Sequence, residues 1–272
     1  MKLSNIFSKR NKVLLYELVV TDFKLRYQNS ALGYAWSLLK PLFLFAIMYV
    51  VFVHFLRFGQ GIDHFAPMLL LGLVLWGFFT EATKQGMNSI TSRANLLRKI
   101  NFPKYILVIS ATISAFINLI LNLIVVFIFM LIDGVDFGWS ILLFPLSLLL
   151  LYAFALSLAF LFAAMSVKYR DIGYIWDVII QAMFYATPIF YPLQMVIEKV
   201  GDSAAQFLLM NPVAVIIQNA RAQLVGAENV ITPGQLFSNP VWIAVPYATI
   251  VIFGILAIWF FKKKQSRFAE EV

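Results

Sequence analysis

Residues 105–167 read YILVISATISAFINLILNLIVVFIFMLIDGVDFGWSILLFPLSLLLLYAFALSLAFLFAAMSV. No charge interrupts Tyr105 to Ile132 or Phe137 to Val167, and only Asp133 and Asp136, with Gly134 between them, separate the two runs. A helix that crosses the roughly 30 Å hydrocarbon layer needs about 20 largely apolar residues, because each residue rises about 1.5 Å. Both runs meet that length, and Asp beside Gly is turn chemistry. The stretch predicts two long membrane helices folded into a tight hairpin.

The rest of the chain agrees with that hairpin. Of 272 residues 62% are apolar and 12% charged, more greasy surface than a soluble globule of this size can hide. The sequence therefore predicts an all-α polytopic membrane protein. Further spans are expected at about Ser37 to Leu56, at Phe65 to Thr80 fraying into Glu81 and Lys84, at Ile172 to Ile197, and at Val241 to Phe261. Pro188 and Pro192 fall inside the fifth run, and because proline removes a backbone donor and clashes with the preceding turn, the helix should break there.

Ser203 to Ala220 is charge-free and nearly long enough to cross, with Asn211 and Pro212 in its middle. Charge bias decides its reading. With six spans, one side receives Lys2, Lys9, Arg10, Lys12, Lys24, Arg26, Lys40, Lys84, Arg93, Arg98, Lys99, Lys104, Lys168, Arg170 and the cluster Lys262 to Lys264, leaving Arg57, Lys199 and Arg221 outside. A seventh crossing would export the terminal cluster against the positive-inside tendency. Pro192 to Pro240 is accordingly expected to be an external region that dips back into the membrane as one or two short helices. Non-helical backbone at that depth must be satisfied by protein or by a water-filled cavity. The expected organisation is one membrane domain: residues 1–36 cytoplasmic or interfacial, 37–261 six-helical, and 262–272 a cytoplasmic tail, with both ends inside the cell.

Two charged segments interleave apolar residues. Asn11 to Tyr27 carries Val13, Leu14, Leu15, Leu18, Val19 and Phe23 among Lys12, Glu17, Asp22, Lys24 and Arg26, and is expected to be an amphipathic interfacial helix. Ser89 to Phe102 sets Ile90, Leu96, Leu97 and Ile100 beside Arg93, Arg98 and Lys99. Either segment anchors to headgroups or meets a soluble partner, and residue pattern alone leaves both open. The +8 net charge lies in blocks between apolar runs rather than on one face, which points to anionic lipid and a cytoplasmic partner, not to nucleic acid. The basic N-terminus lacks the apolar core and small-residue cleavage site of a removable signal peptide.

Catalytic groupings are scarce. There is no Cys, so disulfides and thiolate metal sites are excluded, and His54 and His64 lack the further ligands that a metal needs. Asp133 and Asp136 are explained by their turn, and Glu81 and Asp177 by pairing near the ends of their spans. No Gly is followed by Lys, so no phosphate-binding loop of the Gly-Lys-Ser or Gly-Lys-Thr type exists. ATP-driven work would need an ATPase on another chain. Aromatic residues make up 16% of the sequence: Phe45, Tyr49 and Phe52 fall at helical spacing on the first span, and Phe184, Tyr185, Phe190 and Tyr191 surround the proline break. Singly such residues are packing or lipid contacts. Together they offer sugars a broad, weakly directional apolar surface along which a polymer slides. Ala155, Ala159 and Ala163 form a small stripe suited to close helix packing.

The run LRYQNSALGYAWSLLKPL over residues 25–42 resembles the entry to the first membrane helix in permeases of polysaccharide-exporting ABC transporters, which include the O-antigen, capsule and wall teichoic acid exporters. Tyr169-Arg170-Asp171-Ile172 is a second match, followed by Gln181, Phe184 and Thr187-Pro188-Ile189-Phe190-Tyr191-Pro192, and Asn211-Pro212 with Arg221 is a third. The resemblance implies a homodimer paired with two ATP-binding cassette subunits that bind ATP and Mg, no cofactor in this chain, and a polysaccharide on a polyprenyl pyrophosphate lipid passing between the permeases. It implies an interfacial helix at Asn11 to Tyr27 and a coupling helix at Ser89 to Phe102, with Arg93, Leu96, Leu97, Arg98 and Ile100 toward the ATPase. It places two external gate helices at about Pro192 to Ala220. Lys24, Arg26 and Lys40 would stand at the cytoplasmic entrance near the lipid pyrophosphate, or simply anchor to headgroups. Tyr49, Phe52, Phe184, Tyr185, Phe190 and Tyr191 would line the channel or its gate. The implied role is not enzymatic: export from the cytoplasm across the plasma or bacterial inner membrane. Rival readings are a permease of the same class carrying a drug or glycolipid, a membrane-embedded glycosyl- or acyltransferase, which would need a catalytic carboxylate or histidine cluster, and a proton-coupled flippase, which would need deep titratable residues.

Overall fold

The computed structural model describes residues 8–26, 30, 32–100, 102–266 and 268, without the side chains of Leu25 and Arg26. Among these residues the α-helices are, in order, α1 (Lys9–Arg26), α2 (Ala35–Met48), α3 (Phe65–Asn88), α4 (Ala94–Lys99), α5 (Tyr105–Ile132), α6 (Phe144–Ser166), α7 (Ile172–Ala186), α8 (Leu193–Val200), α9 (Asp202–Leu208), α10 (Pro212–Val225), α11 (Pro233–Leu236) and α12 (Pro240–Lys264). A π-helical stretch, Tyr49–Phe55, prolongs α2. No strand occurs among the described residues.

The hairpin forms where the sequence predicts it. α5 stops at Ile132, and Gly134 turns the chain with a left-handed φ of 75°, a conformation that costs glycine little. The amides of Asp133 and Val135 close onto the Phe129 and Met130 carbonyls, so the helix end leaves few orphan acceptors. A 3-10 turn, Trp139–Leu143, leads into α6, which carries Pro145 in its first turn.

Five helical stretches are long and apolar enough to cross a membrane: Ala35–Phe55, Phe65–Asn88, Tyr105–Ile132, Trp139–Ser166 and Pro240–Lys264. The fifth apolar run of the sequence behaves differently. Its helix, α7, has 15 residues and ends at Thr187, whose backbone is extended, so the prolines break the run as expected. At about 1.5 Å per residue α7 reaches only about 22 Å, and the Thr187 to Tyr191 segment that follows it is not helical.

Contacts define two ends of the bundle. At the end that holds α1, Phe23 stacks on Tyr34 before α2, Ser166 of α6 donates to the Met87 carbonyl of α3, Lys84 of α3 pairs with Asp177 of α7, and Phe261 of α12 packs on Phe160 of α6. At the other end, which holds α10, His64 before α3 meets Asp133 after α5, Gln223 of α10 meets Ser140 and Ser147 at the start of α6, and Asn219 meets Tyr247 near the start of α12. Phe52 beyond α2 and Phe190 beyond α7 lie together there. Thus α2, α3, α5, α6, α7 and α12 run alternately between the two ends.

The centre is α3, buried along almost its whole length between α5, α6 and α10. Gly86 of α3 faces Ala159 of α6, where a Cβ on residue 86 would collide with the alanine methyl; the small stripe of α6 serves this close approach. Ser203 to Ala220 is not one helix: α9 ends at Leu208 and α10 restarts at Pro212, its first turn capped by the Asn211 side chain accepting from the Val213 amide at 3.0 Å. The segment between α7 and α12 contains four short helices, and α10 is buried among those of the bundle. α1 docks with Leu14, Leu15 and Leu18 on the cluster formed by Ile90, Leu97, Phe102, Tyr105, Phe261 and Phe268, while Val13 and Tyr16 remain exposed. The other exposed positions of α1 are Lys9, Arg10, Lys12, Glu17, Thr21 and Lys24, so its open side is mostly polar and no continuous apolar face is left uncovered.

Candidate functional site

At the α1 end, the segment expected to couple with an ATPase is a 3-10 turn, Thr91–Arg93, followed by α4. It follows α3 after a turn of two residues, Ser89 and Ile90. Arg93 points inward: its guanidinium donates to Ser110 Oγ at 3.0 Å and to the Asp22 carboxylate of α1. Leu97 is buried with Ile90 and Phe102, and Leu96 is half-buried. Arg98 and Ile100 face outward, Ile100 at 44% exposure. Arg93 and Leu97 thus anchor the element, while Arg98 and Ile100 are presented. Phe268 is fully buried in the same cluster, edge-on to Phe261, and no sequence signal marked it. Lys24 and Lys40 are exposed at this end. Arg26 ends α1, and its side chain lies outside the described residues.

At the α10 end, the aromatic residues separate into two environments. Phe190 is buried at the centre of a knot, with ring centroids of Phe52 at 4.5 Å, Tyr191 at 5.0 Å, Phe184 at 5.6 Å and Tyr185 at 6.0 Å. Trp76 of α3 joins it through Phe184 at 5.9 Å. Tyr49 stands apart, half-open and tilted against Phe45 at 5.8 Å. Tyr185 keeps much of its ring exposed, and it continues a line along α7 of Tyr174, Val178 and Gln181, all exposed and three or four residues apart. The line is legible in the sequence as a helical spacing, but nothing there distinguishes an open face from a packed one.

Arg221 is the group at this end that sequence reasoning placed without a role. It is 3% exposed, and all the partners of its guanidinium are neutral. Nε donates to the Met68 carbonyl of α3 at 3.1 Å, Nη1 to the Pro188 carbonyl at 2.6 Å and Gln218 Oε1 at 3.0 Å, and Nη2 to the Ile189 carbonyl at 2.6 Å. The two carbonyls following Thr187 belong to the non-helical stretch beyond α7, which has no helix of its own to satisfy them. Asn211 adds a second tie, its Nδ2 donating to Thr187 Oγ1 at 3.1 Å. Beside Arg221 opens a cleft of about 780 Å³ whose walls include Phe65, Met68, Leu193 and Gln218.

The remaining polar groups have local partners. His64 Nδ1 and Asp133 Oδ2 lie 2.7 Å apart, which joins the start of α3 to the hairpin turn. Glu81 accepts from Asn118 at 2.8 Å and from Gln85 at 3.1 Å, and Lys84 pairs with Asp177 at 2.5 Å. Among the described residues no group of three or more His, Asp or Glu is arranged to hold a metal ion.

Against known proteins, the profile of the ABC-2 type transporter family matches residues 13–225. The O-antigen export system permease protein RfbA of Myxococcus xanthus is 26% identical over 269 residues, covering 95% of each chain. Its namesake from Klebsiella pneumoniae is 27% identical over 274 residues, 98% of this chain and 99% of the relative. The capsule polysaccharide export inner-membrane protein CtrC of Neisseria meningitidis serogroup A is 21% identical over 260 residues, 93% of this chain and 92% of that protein.

Proposed function

Because the chain belongs to the ABC-2 type transporter family, we propose that it is the transmembrane subunit of an ATP-driven exporter that moves lipid-linked polysaccharide out of the cytoplasm. The observation that carries this reading is the end-to-end likeness to O-antigen export permeases, over 95% to 98% of the chain. A bundle whose helices alternate between a basic end and an end covered by short helices supports it.

In this reading the chain crosses the plasma or bacterial inner membrane six times as one domain, α7 together with the Thr187 to Tyr191 segment forming the fifth crossing. The α1 end faces the cytoplasm, so residues 1–36 and 262–272 both lie inside, as the distribution of Lys and Arg favours. Two copies assemble with two ATPase subunits that bind ATP and Mg, and this subunit carries no catalytic group of its own. Closure of the ATPases pushes on Arg98 and Ile100, and the anchors Arg93 and Leu97 pass the displacement into α3 and α1. Lys24, Arg26 and Lys40 attract the lipid pyrophosphate at the entrance through charge-assisted contacts. Tyr49, just beyond α2, and the Tyr174, Gln181 and Tyr185 line on α7 face the polymer. The Phe190 knot, with Phe52, Phe184 and Tyr191, closes the outer end, and the α8–α10 region forms the external gate helices.

The test is deletion of the gene in its own host. Loss of surface polysaccharide with lipid-linked polymer accumulating in the cytoplasmic leaflet, both reversed by the intact gene, is the expected result. Unchanged surface polysaccharide in the deletion strain sinks the reading.

A further inference from the structure

We infer that Arg221, seated in the slot left by Gly72, is the positioning residue that holds the outer end of the conduit shut, releasing the Pro188 and Ile189 carbonyls when α3 moves. The inference rests on the export reading only for what passes through the opening. The closure itself stands on geometry.

Three features single out this side chain. A permanently charged guanidinium is buried with no carboxylate among its partners. Of its four hydrogen bonds one stays within α10, at Gln218, and the other three reach two separate pieces of chain, α3 and the broken segment after α7. The fit to α3 is tight, because a Cβ on Gly72 would stand 2.6 Å from Nη2 and 3.4 Å from the Ile189 side chain. Charge-assisted bonds to carbonyls are strong yet exchangeable, since water or a sugar hydroxyl serves those acceptors equally well once the site opens. A hydrophobic contact at the same place would offer the freed carbonyls nothing.

The route to the slot is α3 itself. Gly72 lies about 25 Å along the helix from Ser89, at about 1.5 Å per residue, and Ser89 begins the segment that ends in α4. A buried helix displaced at one end shifts at the other, and a shift of α3 carries the Met68 carbonyl and the Gly72 slot relative to Pro188 and Ile189. Arg221 cannot hold both sides at once after that movement. α10 then parts from the break, the remaining polar tie being the hydrogen bond from Asn211 to Thr187.

The sequence contains no Cys, so a single Ala220→Cys reports on the buried underside of α10, where Ala220 is fully covered. The chain assembled with its ATPase subunits is treated in intact cells with a membrane-impermeant thiol reagent, using active and hydrolysis-deficient ATPases. The parent reporter should label slowly with the inactive ATPase and at least about tenfold faster with the active one. Adding Gly72→Ala, which removes no hydrogen-bonding group, should make labelling fast with either ATPase, and Arg221→Lys, which keeps charge but loses the fork, should do the same. Gly77→Ala, with open space around its Cβ on the same helix, should leave the parent behaviour intact. Equal labelling of the Gly72 and Gly77 variants, labelling of the parent that ignores ATPase activity, or failure of both Gly72→Ala and Arg221→Lys to accumulate would make Arg221 a fold-holding residue only and overturn the inference. A labelling pattern as expected in a chain that does not restore surface polysaccharide would sink the export reading and leave the closure standing.

Discussion

Arg93 donates to the carboxylate of Asp22, 71 positions earlier, and so ties the turn that follows α3 to the N-terminal helix α1. Both side chains are mostly sheltered, at 18% and 22% exposure, and Arg93 also holds Ser110 of α5. The pair fixes the position of the segment that Ile100 terminates.

Removing either partner leaves the other half-buried without its counter-charge. Hydrogen bonds to charged groups contribute roughly 1.5–3 kcal/mol. Arg93→Ala or Asp22→Ala should therefore lower the thermal midpoint of the purified chain by several degrees. The exchanged pair Arg93→Asp with Asp22→Arg should recover much of the loss. An exchanged pair no more stable than the sum of its own two singles, Arg93→Asp and Asp22→Arg, would show that the contact contributes nothing.

Ile100 and Leu97 are three residues apart but should fail differently. Ile100→Asp changes an exposed side chain, so the protein should accumulate normally while export falls by about tenfold or more, the scale of a lost interface anchor. Leu97→Asp places a charge in a packed cluster and should lower abundance itself. Quantitative immunoblotting beside an export assay separates the two; normal export by Ile100→Asp would remove it from the partner-contacting set.

Asn211 has two tasks that substitution can divide. Asn211→Ser keeps an N-cap oxygen and loses the donor to Thr187, whereas Asn211→Ala loses both. Cap loss costs about 1 kcal/mol, and a hydrogen bond about 0.5–1.5 kcal/mol. Stability should therefore fall in the order wild type, Ser, Ala, read by thermal unfolding in detergent. Identical midpoints for Ser and Ala would show that capping is not limiting.

Gly86→Ala should destabilise by roughly 1–3 kcal/mol through overpacking against Ala159, and adding Ala159→Gly should restore most of it. The same thermal measurement checks both. A neutral Gly86→Ala would mean that α3 and α6 separate easily at this point.

Much of this architecture was written in local chemistry. Asp133 and Gly134 mark the hairpin, Asn211 and Pro212 mark the start of α10, and Pro188 and Pro192 mark the break after α7. Charge-free runs place the long helices because lipid tolerates few exceptions. What stayed hidden depends on partners far apart in sequence. Arg221 stood out as a cation on the sparsely charged side and as part of a family match, but without a role, since its partners are mostly backbone carbonyls, which exist at every position and leave no pattern. Gly72 looked like any small residue in a helix. Phe190 and Tyr185 sit in one aromatic cluster in the sequence, yet only the packing makes the first a buried hub and leaves the second open. Phe268, between charged residues, gave no sign of its burial.

The position of that last ring has a consequence for how the protein is made. Leu14, Leu15 and Leu18 are synthesised long before Phe261 and Phe268, yet the pocket they help to form needs both rings. Until synthesis passes residue 268, this end of the bundle is missing an inner wall and α1 has only part of its seat. Final tightening thus waits until residue 268 has been made, and a chain cut short before Phe268 would insert its helices while leaving the junction of α1, α4 and α12 slack.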